Sequence, residues 1–205
     1  APSTRSSLDG DEWLPKLGVE YDLNEDTLLY AQYQRGFKSG GHDIALDRTF
    51  EPEMLDAYEV GLKTQLQEGR LTVNTAIFFY DYEALQITNN TGPTTTQVEN
   101  ADAAILGLET EVLWYASDNF IVNLGATWTD AEYTDFVSFD ASRPQLGLLD
   151  LDGFQVIQSP DYTFKLGAQW RIPLGDGILS SLVLRTDIAH TDDVPLRPYA
   201  TRNDV

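Results

Sequence analysis

Apolar side chains in this sequence recur at every second position over long stretches, and that period decides most of what the chain can become. Alternate residues of a β-strand point to opposite faces, so a period of two writes one apolar and one polar face onto each strand. Between residues 55 and 67, Tyr58, Val60, Leu62, Thr64 and Leu66 alternate with Ala57, Glu59, Gly61, Lys63 and Gln65. From Leu106, the residues Leu108, Thr110, Val112 and Trp114 oppose Gly107, Glu109 and Glu111. From Phe120, Val122, Leu124, Ala126 and Trp128 oppose Asn123, Gly125, Thr127 and Thr129. Tyr162, Phe164, Leu166, Ala168 and Trp170 oppose Thr163, Lys165, Gly167, Gln169 and Arg171. From Leu182, the residues Leu184, Thr186 and Ile188 oppose Arg185 and Asp187. No long segment carries the apolar spacing of an amphipathic helix. The chain is therefore expected to be all-β, with about eight strands, over residues 13–23, 27–36, 55–67, 71–87, 97–115, 120–136, 162–172 and 178–190.

The connections alternate in length. Asn24-Glu25-Asp26, Glu68-Gly69, Ser117-Asp118-Asn119 and Gly175-Asp176-Gly177 are short and built from residues that tolerate tight turns. Residues 37–54, 88–96 and 137–160 form longer segments between them. Short turns on one edge and long loops on the other describe an antiparallel up-and-down meander, the layout of outer-membrane barrels. A soluble sandwich more often mixes loop lengths through Greek-key crossovers.

Mid-strand charges fall on the polar parity in nearly every strand. A Lys or Arg facing lipid at mid-membrane costs about 2–4 kcal/mol, so a transmembrane barrel excludes charge from one face. A half-buried soluble sheet alternates as well. Two features favour lipid: the strands exceed the usual length of about 5–6 residues, and aromatic residues gather at strand ends. Those are Trp13, Tyr21, Trp114, Tyr115, Phe120, Tyr133, Phe136, Tyr162 and Trp170, and they suit the two interfacial girdles of a barrel. Composition then excludes classes. The net charge of −20 argues against nucleic acid, whose phosphates need Lys and Arg. With no cysteine, there is no disulfide framework, Cys-ligated zinc site or thiol nucleophile. No apolar run approaches the ~18 residues of a spanning helix, and the first residues show no apolar signal-peptide core.

Candidate chemistry is sparse. His42 lies in a Gly-Gly-His-Asp loop near Asp43 and Asp47, and His190 ends a strand before Thr191-Asp192-Asp193. Both are read as rim histidines rather than metal ligands. Asp150-Leu151-Asp152-Gly153 has too few spaced oxygens for a calcium loop and reads as an Asp/Gly turn. Glu109 and Glu111 sit two apart on one strand face. They are read as wall acids, with Lys63, Lys165 and Arg185 as pairing candidates, rather than a hydrolytic pair. No hydrolase, nucleotide or zinc-protease motif occurs, so neither catalysis nor a cofactor is expected. Asn89-Asn90-Thr91 matches a glycosylation triplet by chance. Phe79, Tyr80, Asp81 and Tyr82 precede a loop and are read mainly as girdle. Arg35 and Lys38 flank the first long loop, placed to attract an anionic ligand or lipopolysaccharide phosphates.

Several segments resemble the C-terminal half of the barrel of TonB-dependent outer-membrane receptors. Residues 14–43 are similar to a strand, a periplasmic turn, a strand and then Gly36-Phe37-Lys38-Ser39-Gly40-Gly41. Residues 50–66 match through Pro52-Glu53, Tyr58-Glu59 and Gly61-Leu62-Lys63. Residues 71–87 resemble the next ascending strand, 98–112 match through Asn100-Ala101 and Gly107-Leu108-Glu109, and the strand start at Pro160 follows. The resemblance runs collinearly over residues 14–170. It implies an open portion of a transmembrane barrel of about 22 strands with a plugged lumen, in the bacterial outer membrane. The implied function is TonB-dependent active uptake of a ferric siderophore or similar scarce nutrient. The implied partners are outer-membrane lipid and lipopolysaccharide, the nutrient, and the TonB complex through an N-terminal region.

Residues 1–205 are thus expected to be one partial barrel domain without plug, TonB box or closing strand, since the sequence stops at Asn203-Asp204-Val205. Such a piece is not transport-competent alone. The expected ligand-facing rim is Arg35, Lys38, His42 and Asp43. The expected lumen-facing polar residues are Glu59, Lys63, Glu109, Glu111, Lys165 and Arg185. The competing readings are a passive porin-like or small structural barrel, and a soluble lectin-like β-protein.

Overall fold

Tight turns between alternating strands leave antiparallel neighbour pairing as the local solution, and the computed structural model shows it. It describes residues 12–43, 47–90 and 96–199. The strands are β1 (Lys16–Asn24), β2 (Thr27–Lys38), β3 (Gly41–Asp43), β4 (Arg48–Phe50), β5 (Glu53–Leu66), β6 (Leu71–Asn90), β7 (Thr96–Ser117), β8 (Phe120–Asp135), β9 (Val137–Phe139), β10 (Leu148–Asp150), β11 (Tyr162–Pro173) and β12 (Ser181–Thr191). A single 3-10 turn, Pro144–Leu146, lies between β9 and β10. The eight long strands form one sheet in the order β1-β2-β5-β6-β7-β8-β11-β12, open between its two edge strands. The expected meander and its eight strands are present, with ends shifted by a few residues. The long connections hold two small hairpins, β3–β4 and β9–β10. A loop of that length must pair its own backbone groups or leave them to water, and these loops pair them.

The register is staggered in one direction. Thr27 pairs with Thr64, so β5 runs on to Leu66; Leu71 pairs with Trp114, so β7 runs on to Ser117; Phe120 pairs with Trp170, so β11 runs on to Pro173. A constant stagger is the shear that tilts strands in a barrel wall.

The two faces are inverted relative to a soluble sheet. Leu17, Val19, Val60, Ile77, Leu108, Trp128, Phe164, Trp170, Leu184 and Ile188 are exposed on the apolar parity. The polar parity holds the covered positions, among them Phe78, Ala103, Ala131 and Tyr133. On that face two large rings lie flat on glycines of the neighbouring strand. A Cβ at Gly61 meets Tyr30 Cζ at 2.4 Å, and one at Gly107 meets Phe78 Cζ at 2.1 Å. These glycines are required by the close approach of a ring, the arrangement in which an aromatic covers a bare strand backbone.

The buried core lies at the long-loop end of the polar face, not in the middle of the sheet. Ile87, Ala101, Ala103, Ala131, Tyr133, Phe136, Leu151, Val156 and Tyr199 form it. This corrects the reading of Tyr133 and Phe136 as girdle residues: both are almost wholly buried, with their rings 4.9 Å apart. Parity assigned Tyr133 to the polar side, and a returning loop then covers it. The girdle does appear elsewhere on the apolar face, where Tyr33, Tyr58 and Phe79 form a ladder with centroids 5.1 and 6.4 Å apart. His190 joins it by stacking on Tyr162 at 5.6 Å. Tyr80 and Tyr82 take the polar parity instead, and Tyr80 stacks on Phe78 at 4.7 Å. The N-terminal segment read for a signal peptide, Thr91 of the glycosylation triplet and the final Asn203-Asp204-Val205 lie outside the described residues.

Candidate functional site

The candidate site is the polar face together with the loops at its long-loop edge. Strand pairing brings Tyr30 of β2, Glu59 and Lys63 of β5, and Glu109 and Glu111 of β7 onto one face, with Lys165 of β11 and Arg185 of β12 further along it. The Tyr30 hydroxyl donates to Glu59 Oε1 at 2.6 Å. Lys63 Nζ sits 5.2 Å above the centre of the same ring, a cation–π placement. Arg185 donates through Nε and Nη2 to the Asp187 carboxylate at 2.8 and 3.0 Å. The pairing considered for Glu109 and Glu111 does not form: Lys63 is directed at the Tyr30 ring and Arg185 at Asp187, and Lys165, on β11 beyond β8, makes no ion pair with either glutamate. Among the described residues neither glutamate has an ion pair, and the face keeps these two acidic groups open.

The four rim residues do not converge. Arg35 faces the apolar side, 3.9 Å from Asp56, whose Oδ1 also accepts the Tyr33 hydroxyl at 2.6 Å. Lys38 lies 3.6 Å from Glu53 on the polar side. Each cation stands directly opposite its acid in the β2–β5 register, so neither is an unshared charge for an anion. His42 Nε2 is 3.2 Å from Asp47 Oδ1 in the β3–β4 hairpin, where Asp43 stands opposite Arg48. No group of three metal-ligating side chains occurs among the described residues.

Sequence reasoning missed the polar side chains that shape the loop edge. Ala84 holds a positive φ of 56° in a bulge between Tyr82 and Leu85. Its strain is offset by two side chains: Asp102 accepts its N–H at 2.9 Å, and Asn100 Nδ2 donates to its carbonyl at 2.8 Å. Asn100 Oδ1 also accepts the Glu51 N–H at 2.8 Å, and Gln86 Nε2 donates to the Ser39 carbonyl at 3.0 Å. The first long loop is thereby fastened to β6 and β7. Next to it Glu99 accepts from the Ser138 hydroxyl at 2.6 Å, from Asn89 Nδ2 at 3.1 Å, and from Gln97 Nε2. Asn89, the acceptor position of the glycosylation triplet, is therefore buried and engaged. Uncharged donors satisfy this carboxylate, which sequence spacing alone does not reveal.

The loop from 137 to 160 folds back along the upper half of β8. β8 pairs with β11 only as far as Trp128 and Tyr162. Above that point Thr129, Ala131 and Tyr133 bond to the backbones of Asp161, Val156 and Phe154 at 2.8, 3.0 and 2.9 Å. The loop thus covers a sheet edge that would otherwise stay open. Under its return lies a cleft of about 390 Å³, lined by Tyr82, Leu85, Ile105, Val156, Pro160 and Thr163 among others. Asp150 and Asp152 act as turn residues: Asp150 Oδ1 accepts the Asp152 N–H at 3.2 Å, Asp152 Oδ1 accepts the Phe136 N–H at 3.0 Å, and Gly153 takes φ 76°.

Asp140 latches this loop. Its buried side chain accepts from the Ser142 N–H at 2.8 Å, the Ser142 hydroxyl at 2.6 Å and Arg143 Nε at 2.5 Å. Burial by itself raises the Asp140 pKa, but the Ser142 and Arg143 hydrogen bonds and the Arg143 charge outweigh it, and the carboxyl is lowered to about 2. A carboxyl with a depressed folded-state pKa stabilises the fold above its unfolded value, and that contribution fades as pH falls through the folded value. Pepsin cleavage within 137–160 is therefore expected to rise between pH 4 and pH 2. Asp140→Asn is expected to give rapid cleavage already at pH 4 and to flatten the profile; an unchanged profile would discount the latch. The signal for it, Asp-x-Ser-Arg, was present as a turn-forming motif.

The family described as TonB dependent receptor-like, beta-barrel, matches residues 1–203. The ferric-pyoverdine 358 receptor of Pseudomonas putida is 27% identical over 168 residues, covering 80% of this chain and 20% of that protein. The metal-pseudopaline receptor of Pseudomonas aeruginosa is 38% identical over 65 residues, 31% of this chain and 9% of that protein. Among solved structures, the ferric yersiniabactin uptake receptor of Yersinia pestis superposes with a TM-score of 0.66 at 20% identity, over 87% of this chain and 25% of that one. The alcaligin outer-membrane receptor of Bordetella pertussis gives 0.61 at 21% identity, over 90% and 30%. The chain thus spans about a fifth of the length of the first of these curated relatives.

Proposed function

The chain belongs to the TonB-dependent receptor β-barrel family of the bacterial outer membrane, and from that premise we propose that it is part of the barrel wall of a receptor for active uptake of a ferric siderophore or similar metal chelate. The relatives named above are transport receptors rather than enzymes. The observation that carries the reading is the inverted sheet: its apolar face is exposed along every long strand, while its polar face holds Glu59, Lys63, Glu109, Glu111, Lys165 and Arg185. Exposed apolar side chains suit a hydrocarbon surround, and the polar face suits a wet lumen.

In this proposal residues 1–205 are one partial barrel domain. The polar face lines the lumen beside a plug domain, and the end of β2 with Lys38 and the β3–β4 hairpin with His42 and Asp43 form part of the outer rim where ligand arrives. Lys38 already faces Glu53, so ligand binding there needs displacement of that partner, and Arg35, expected at the same rim, lies on the apolar side beside Asp56 instead. Energy comes from the TonB complex, and this segment alone transports nothing.

Uptake of iron-55 loaded siderophores by a deletion strain tests the reading. Loss of uptake of one chelate is expected, with rescue by the whole gene and none by residues 1–205. Collapse of the proton-motive force is expected to abolish uptake in the parent strain. Uptake that persists without that force points to a passive pore, and wild-type uptake of every chelate by the deletion strain removes the proposal.

A further inference from the structure

The four short turns are not alike. Asn24-Glu25-Asp26 is polar throughout, and Arg70 beside Glu68-Gly69 reaches Asp118 of the next turn at 3.4 Å and donates through Nε to the Tyr115 carbonyl at 3.0 Å. The fourth turn, between β11 and β12, carries Leu174, Ile178 and Leu179. It is closed by a hydrogen bond from the Leu174 N–H to the Ser180 carbonyl at 3.0 Å. Ile178 is fully exposed at 106% and Leu179 is 71% exposed, and Asp176 is the single charge between Leu174 and Ser180.

This apolar tip continues the lipid-facing surface. Trp170, Leu182 and Leu184 share the apolar face of the β11–β12 hairpin and are all exposed. In the β7–β8 hairpin β7 ends at Ser117, three residues after Trp114, and Ser117 pairs directly with Phe120. In the β11–β12 hairpin β11 also ends three residues after its tryptophan, at Pro173, but the seven residues 174–180 then project beyond the paired strands before β12 begins. The apolar surface therefore extends beyond the aromatic row on this hairpin and wraps onto its tip. Short turns lie at the periplasmic end of such barrels, and amphipathic surfaces with exposed Leu and Ile partition into the headgroup–acyl boundary.

We propose that the turn from Leu174 to Ser180 is a membrane-embedded tip, seated in the phospholipid leaflet on the periplasmic side, while the other short turns stay in water. The occupant is lipid because the tip is continuous with a surface that already meets lipid. The inference rests on the barrel-wall reading for its orientation, not on any ligand or on transport.

The sequence has no cysteine, so Ile178→Cys and Glu68→Cys each add one labelling position to this region. The full-length receptor would carry a bimane label at either site, any cysteine outside this region being replaced. It would be folded into phosphatidylethanolamine–phosphatidylglycerol vesicles with or without brominated acyl chains. Folding is checked by heat-modifiable migration. The label at 178 is expected to lose at least half its emission to brominated lipid and to resist aqueous iodide. The label at 68 is expected to behave the opposite way. Iodide quenching at 178 equal to that at 68 would overturn the proposal. So would protection from both quenchers, which would place another part of the receptor, or a protein partner, on the tip. Failure of the barrel to fold in vesicles while remaining soluble would instead strike at the barrel-wall reading.

Discussion

Replacing Leu166 with arginine is expected to destabilise the folded barrel by about 2–4 kcal/mol, the depth-dependent cost of a cation on the lipid face near mid-membrane. Leu166 lies midway between the aromatic residues Tyr162 and Trp170 on its strand, and it pairs with Leu124 and Ile188 on either side. All three are apolar, so an arginine there has no acid within its row. The side chain is also too far from either aromatic end to place its head easily in water. The adjacent Lys165 shows the contrast, since a cation one residue away is native to the polar face. Gln169→Arg, on that same polar parity, is expected to change stability by less than about 0.5 kcal/mol, as surface substitutions usually do. Urea unfolding of the full-length protein in vesicles, followed by tryptophan fluorescence, measures both. Equal effects for the two variants would mean that the faces are wrongly assigned.

Gly107→Val is expected to cost about 1–3 kcal/mol through overpacking. Valine normally suits a strand better than glycine, so strand preference alone gives the opposite sign. The deciding fact is the Phe78 ring, which a Cβ at 107 would meet at 2.1 Å. That ring is itself nearly buried and stacked on Tyr80, so it has little room to yield. Adding Phe78→Ala is expected to recover part of the loss, because the two residues share one contact and their effects are not additive. The same unfolding assay reads this; a double variant no better than the sum of the single ones would show that the ring is not the obstacle.

The strands were legible because their signal is local. Period, turn residues and strand length placed all eight long strands within a few residues of where they form. Their faces follow from parity, which puts Glu109 and Lys165 on the side of the sheet opposite Leu108 and Leu166. Loop structure was not legible in the same way. The β9–β10 hairpin, the Asp140 latch and the Glu99 network join positions far apart in sequence, and no period announces them. Tyr133 and Phe136 show the limit clearly. An aromatic at a strand end looks the same whether lipid, water or a returning loop covers it.

The rim residues make a related point. Arg35 and Lys38 looked like cations available to an anion, and each proved to stand opposite an acid. Nothing in residues 27–38 shows that, because the partners Asp56 and Glu53 belong to the next strand of the sheet and depend on its register.

The amino-acid order by itself determined that the chain is a meander of long strands with one apolar and one charged face, since side-chain alternation and turn chemistry act between near neighbours. Tertiary structure alone decided which charges are neutralised, which glycines must stay bare under a ring, and where the core sits. Those outcomes depend on cross-strand register and on a loop returning over the sheet, and both are set only when distant segments meet.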